Sequence, residues 1–217
     1  MKKNISQQLL EFIENSPTCF HAVQAMTDIL SAEGFTELKE NQKWHIENGG
    51  RYFVTRNGSS LTAFTVPFQE MKGMHIIASH SDSPSFKIKE NPELESEGHY
   101  IRLNVEGYGG MIRAPWFDRP LSVAGRVIVK DKAQGGFRSI LVDIGRDLVM
   151  IPNLAIHMDR QINDSCKYNI QKDMLPIYGD LSAKGTFMKL IADTAGVPEE
   201  EILGHDPFLY NRQKGTV

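Results

Sequence analysis

Cysteine is nearly absent from this chain of 217 residues, with Cys19 and Cys166 as the only two. Two thiols so far apart make neither a spaced metal pair nor a disulfide framework, and they point to a reducing cytoplasm. On this reading they are inert small hydrophobes. No apolar run approaches the length of a membrane span, so no membrane is expected as a partner. Long blocks of one charge are missing as well, since 24 basic residues meet 27 acidic ones for a formal net charge of -3. Phosphate binding calls for a clustered basic face, so nucleic acid is not an expected partner either. The amino terminus, Met1-Lys-Lys-Asn-Ile-Ser-Gln-Gln8, is polar and leads straight into a helix, which argues against a signal peptide. Internal repeats and low-complexity segments are not found.

What is present is an ordinary globular balance, 41% hydrophobic and 24% charged, in a chain long enough for one domain or two. Leu9, Leu10, Phe12 and Ile13 fit a short amphipathic helix that breaks at Ser16-Pro17. Thr18 is placed to cap the next helix, where Ala22, Val23, Met26, Ile29 and Leu30 share one face and Gly34 supplies the stop. Arg51–Arg56 and Leu61–Val66 flank Asn57-Gly58, a hairpin signal because both residues tolerate positive φ. The run Met74-His-Ile-Ile-Ala-Ser79 then reads as a buried strand. Past Pro84 the character changes to a polar passage rich in Lys and Glu. Apolar β-like segments follow around 100–105, 121–130, 137–144 and 148–151. A helix is predicted from about Thr186 to Ala195, closed by Gly196, and Pro198-Glu-Glu-Glu201 reads as the first turn of another. The expected class is mixed α/β, divided into residues 1–90 and a β-rich part at 91–217.

The buried-strand reading of 74–79 puts His80 at a strand end with Asp82 two residues later. Ligands in open α/β sheets collect at carboxyl ends of strands. A neutral imidazole there can bind zinc while a carboxylate fixes its tautomer. By itself the pattern is weak, because His80 could be satisfied by local hydrogen bonds and Asp82 could cap the Ser83-Pro84 turn. His75 reads as a satisfied core or interface residue, and His157 is compatible with an ordinary sheet histidine. Trp116-Phe-Asp-Arg119 reads as a structural turn with a local ion pair, and Tyr108-Gly-Gly110 as a tight turn.

Six segments together resemble the M18 metalloaminopeptidases, the family of aspartyl aminopeptidase. They are Glu14-Asn-Ser-Pro-Thr-Cys-Phe-His-Ala22, Tyr52–Ser60, Ala78-Ser-His-Ser-Asp-Ser-Pro84, Tyr108-Gly-Gly110, Trp116–Arg126 and Asn153-Leu-Ala-Ile-His157. The resemblance implies an α/β catalytic domain, of which residues 1–90 are the amino-terminal part. A β-rich dimerisation domain inserted into it would occupy 91–217. It further implies two zinc ions, peptide substrates that lose their N-terminal residues, acidic ones among them, and self-association through the inserted domain. Carried over by position, His80 is a metal ligand, Asp82 the acid that orients it, and His157 a residue reaching a partner subunit's active site. The chain stops roughly where the family's catalytic domain would resume, which leaves out the remaining ligands and the general base. Glu199-Glu-Glu201 reads as a helix start and not as a substitute. Two functions follow as expectations. One is an aminopeptidase completed by a longer product or a second polypeptide, and the other is a non-catalytic dimerisation module or remnant.

Overall fold

A computed structural model describes residues 4–131 and 135–216. Residues 1–3 of the polar amino terminus and the terminal Val217 lie outside the described residues. The chain divides into two compact units, 1–83 with 215–217, and 84–214. The class is mixed α/β with two sheets, one in each unit.

The first unit opens with α1 (Ile5–Glu14), where Asn4 and Gln7 form a reciprocal capping box. Its amide donors are satisfied there before the helix begins. Thr18 caps α2 (Cys19–Ala32), as its position predicts. Helix α2 buries Phe20, Ala22 and Val23. Strand β1 (Thr36–Glu37) runs parallel to β2 (Arg51–Arg56), which pairs antiparallel with β3 (Ser60–Thr65). The Asn57-Gly58 hairpin is present, with φ of 53° and 61° at the two residues. The apolar core of this unit is small among the described residues: Phe20, Ala22, Val23, Leu38, Tyr52 and Phe53.

The predicted strand over 74–79 does not form. Residues 69–80 carry no regular hydrogen-bonded structure, and Ile76 and Ile77 are 78% and 100% exposed. The sequence pattern is that of a strand buried on both faces, which exists only with a neighbour to pair and layers to cover it. Among the described residues of this unit, β3 ends the sheet and pairs with β2 alone. His75 is accordingly exposed, not packed in a core.

The second unit is a six-stranded antiparallel sheet in the order β7-β6-β9-β4-β5-β8. Its strands are β4 (Ser85–Ser96), β5 (Tyr100–Tyr108), β6 (Leu121–Lys130), β7 (Phe137–Asp143), β8 (Ile177–Asp180) and β9 (Ile202–Asn211), with helices α3 (Ile170–Asp173) and α4 (Phe187–Ala195). Helix α4 starts within a residue of its predicted position and ends on Gly196 at φ 68°. The polar passage after Pro84 is in fact β4. Phe86 and Ile88 alternate inward with lysines outward, and the register shifts between Ile88 and Glu93, around Asn91-Pro92. The proline cannot donate to a ladder, so a bulge falls there. Segment 148–151 makes isolated bridges in place of a strand, and Glu199–Glu201 is a single 3₁₀ turn with Pro198 as its cap. A single core joins Phe86, Leu103, Leu121, Phe187, Ile191 and Leu209 with their neighbours.

Candidate metal-ligand dyad

In the segment after the hairpin, the Ser81 hydroxyl donates to the Ser59 carbonyl at 2.8 Å. That bond ties residue 81 to the β2–β3 turn. On either side stand the two predicted residues. His80 Nδ1 lies 3.0 Å from Asp82 Oδ1, with the imidazole 92% exposed and the carboxylate 35% exposed. A carboxylate only accepts, so this contact favours the tautomer of the neutral imidazole that carries its proton on Nδ1. The Nε2 lone pair is left free and faces solvent. This is the arrangement in which a carboxylate holds an imidazole ready to bind a metal through its other nitrogen.

The donor set stops there. Among the described residues no three His, Cys, Asp or Glu side chains group closely enough to hold a metal ion. Glu199–Glu201 is no exception. A catalytic zinc takes about three protein ligands, so one imidazole with its orienting carboxylate does not hold the ion. The groove of 190 Å³ in the same unit is lined by Glu40, Val54, Thr55, Arg56, Ser60, Leu61 and Thr62. Arg56 and Glu40 pair across its lining at 3.0 Å, and neither is a soft metal donor.

His157 belongs to the second unit. It sits in a turn of the exposed stretch 152–169, where the Met158 amide donates to the Ala155 carbonyl at 2.8 Å. It is therefore a loop histidine and not one of a sheet. The base of this loop is fastened by Asp118, whose φ is 58°. The Asp118 carboxylate accepts from the Asn153 amide at 3.0 Å, and the Asn153 side chain accepts from Leu154 N–H at 2.9 Å. Reading the sequence alone did not assign Asp118 this task. Its partner lies 35 residues away, and only the unusual backbone angle marks the position. The loop also exposes Leu154, Ile156 and Met158, the last at 81%. Cys166 is exposed on the same loop, and Cys19 is half-buried. Cys166 thus departs from the buried-hydrophobe pattern; its thiol hydrogen-bonds with the Tyr168 hydroxyl and pushes that phenol's pKa up.

A family model described as aminopeptidase I zinc metalloprotease (M18) matches residues 12–217. The chain belongs to the M18 family. A probable M18 family aminopeptidase 2 of Clostridium acetobutylicum is 47% identical over 98% of this chain and 50% of its own length. One from Pseudomonas aeruginosa is 38% identical over the whole chain and 52% of its length. The chain thus spans about half the length of the curated relatives it matches. Among solved structures, mApe1 of Chaetomium thermophilum superposes with a TM-score of 0.88 at 34% identity, covering 98% of this chain and 52% of that one. The M18 aminopeptidase of Thermotoga maritima shares the fold, with a TM-score of 0.74 at 23% identity. No helix among the described residues of this M18 chain is long and apolar enough to cross a membrane.

Proposed function

We propose that this chain is one half of a zinc-dependent aminopeptidase that removes N-terminal residues, acidic ones included, from peptides in the cytoplasm. The observation that carries the reading is the His80–Asp82 dyad, a pre-oriented imidazole with a free Nε2 within the family match. In the complete enzyme His80 binds one metal ion and Asp82 fixes its tautomer. His157, on the loop fastened by Asp118, contacts substrate in a neighbouring subunit. The family's name implies zinc, and among the described residues His80 would supply one ligand and Asp82 its orientation without completing a zinc site. A related structure is a dodecamer of Saccharomyces mApe1, which this chain matches at 28% identity. Self-association through residues 91–217 fits that relative.

The test is turnover of aspartyl, glutamyl and leucyl substrates with zinc, manganese or cobalt and a chelator control. The 217-residue chain alone should be inactive with every metal, and joining it to the remaining half of an M18 chain should bring chelator-sensitive turnover. Turnover by the chain alone would mean that its own residues complete the site. Silence of the joined enzyme would favour a second reading, an assembly module without chemistry. That reading is supported by the second unit, which has a continuous sheet and core of its own.

A further inference from the structure

Residues 152–169 carry neither strand nor helix, and most of them face solvent. An irregular stretch that long in a compact domain is usually functional. Its own hydrogen bonds are local turns: Met158 N–H donates to the Ala155 carbonyl at 2.8 Å, and Asp164 and Ser165 N–H donate to the Gln161 carbonyl at 2.9 and 3.2 Å. Such bonds shape the loop but do not fix where it stands. Both of its feet are held by one short segment, residues 113–118. At the first foot the Asp118 amide donates to the Ile151 carbonyl at 2.9 Å, and the Asp118 carboxylate accepts from the Asn153 amide at 3.0 Å. At the second, Arg113 Nη1 donates to the Tyr168 carbonyl, and the Phe117 ring lies 4.8 Å from that of Tyr168. The segment is itself rooted in the core, with Phe117 8% exposed and Trp116 edge-on to Phe86 at 5.1 Å.

One backbone angle sets the segment apart. Asn57 and Glu97 are also non-glycine residues at positive φ, and each precedes a glycine in a hairpin turn. Asp118, at 58°, precedes Arg119 and turns no hairpin. Strain of this kind persists where the surroundings over-determine it, and it clusters at functional sites. Here it comes with a carboxylate bound to an amide at the start of the loop.

We infer that residues 113–118 are a clamp that sets the reach of His157, with Arg113, Phe117 and Asp118 as its positioning residues. Their task rests on the reading that His157 contacts substrate. A side chain on an exposed loop meets a reacting group reproducibly only if the feet of the loop are fixed. A misplacement of about 1 Å can cost about 100-fold in rate. Gripping both feet from one rooted segment fixes them relative to each other and to the core. A plain structural role also explains a fastened loop. The two roles separate on whether the clamp still matters once His157 is gone.

Asp118 is exposed, so replacing it leaves the core untouched. Asp118→Gly keeps the positive φ and removes the acceptor. Asp118→Asn keeps both an acceptor oxygen and the backbone preference. In the 217-residue chain, trypsin cleavage after Arg160 and Lys167, both exposed on the loop, reports how often the loop opens. Asp118→Gly and Arg113→Met should each speed that cleavage by about tenfold or more, the factor for one lost hydrogen bond to a charged group. Asp118→Asn should match the parent chain. In the enzyme joined to the remaining half of an M18 chain, Asp118→Gly and Arg113→Met should each lower kcat/KM by about tenfold or more. Asp118→Asn should keep the parent's kcat/KM, and in a His157→Ala background neither releasing variant should cost anything further. Cleavage unchanged by both releasing variants overturns the inference, and so does a loss in kcat/KM that persists at full size without His157. An active joined enzyme indifferent to His157→Ala overturns it as well. A joined enzyme silent with every metal removes the proposed activity instead, and the cleavage rates alone then decide whether the clamp stands.

Discussion

His80 makes its contact with a residue two positions away, and that closeness is why it can be read from sequence. A two-residue spacing places imidazole and carboxylate together almost regardless of the surrounding fold, and the structure holds them at 3.0 Å. Asp82→Asn removes the acceptor that fixes the tautomer. In the joined enzyme this should lower metal affinity or activity by about 10- to 100-fold, as read by metal titration beside turnover. An undiminished enzyme would leave Asp82 as a turn residue. A second residue-scale case lies in the sheet of the second unit. Burial pushes the Asp206 carboxyl up, but hydrogen bonds and charge from Lys87 and Arg126 outweigh it and hold the group below the usual carboxylate range. The contacts are 2.7 Å to Lys87 Nζ and 3.0 Å to Arg126 Nε. With the folded pKa depressed, the stabilisation is present above the unfolded value of about 3.9 and is lost as pH falls through the folded one. Asp206→Asn should therefore cost about 1–3 kcal/mol near neutral pH. The gap from the parent chain should close below about pH 4 in acid unfolding followed by circular dichroism.

At the scale of elements, the seam between β6 and β9 is set by what two residues lack. Gly125 has no Cβ and Pro207 no amide hydrogen, and they sit opposite each other in the pairing. A Cβ on Gly125 would lie 2.1 Å from the Asp206 carbonyl oxygen and 2.7 Å from Pro207 Cα. Backbone on both sides cannot yield, so Gly125→Ala should destabilise the second unit by about 1–3 kcal/mol. Thermal unfolding of the variant measures it, and an unshifted midpoint would show that the seam has slack. The same strand shows where sequence reading stops. Strand β9 holds Gly204, Asp206 and Pro207, a composition that argues for a turn. Only its neighbours β6 and β4 make it a strand. Strand β4 was missed altogether: its lysines and glutamates read as a polar passage, and Asn91-Pro92 in its middle are residues that usually end strands. Helix α4 shows the same limit. Its end was read from Gly196, but its start is capped from a distance by Glu93, which accepts from the Gly185 and Phe187 amides at 2.6 and 2.8 Å. Local signals such as Thr18 and Asn57-Gly58 carried through because capping and turns are decided within four residues. The 74–79 strand failed for the opposite reason. Its pattern is that of a strand buried on both faces, and among the described residues no strand pairs with it.

For the molecule as a whole, the feature that matters is that His80 follows segment 74–79, which pairs with no strand among the described residues. Its imidazole lies 3.0 Å from the Asp82 carboxylate, and the Ser81–Ser59 bond ties the next residue to the β2–β3 turn. On the proposed metal role of His80, two equilibria share one degree of freedom: taking up an ion at Nε2, and fixing residues 74–79. Thermodynamic reciprocity requires that whatever factor assembly adds to zinc affinity, zinc adds to assembly. The cation becomes a glue whose strength is written in the entropy of a short peptide. Titrating zinc into the separate halves should tighten their association, by about 5- to 150-fold for a coupling of ordinary size. His80→Ala should flatten that response while leaving the zinc-free association unchanged. Analytical ultracentrifugation with and without a chelator reads both, and a zinc response that survives His80→Ala would place the ion elsewhere. On the proposed metal role of His80, the residue acts as a sensor of whether residues 74–79 have been ordered.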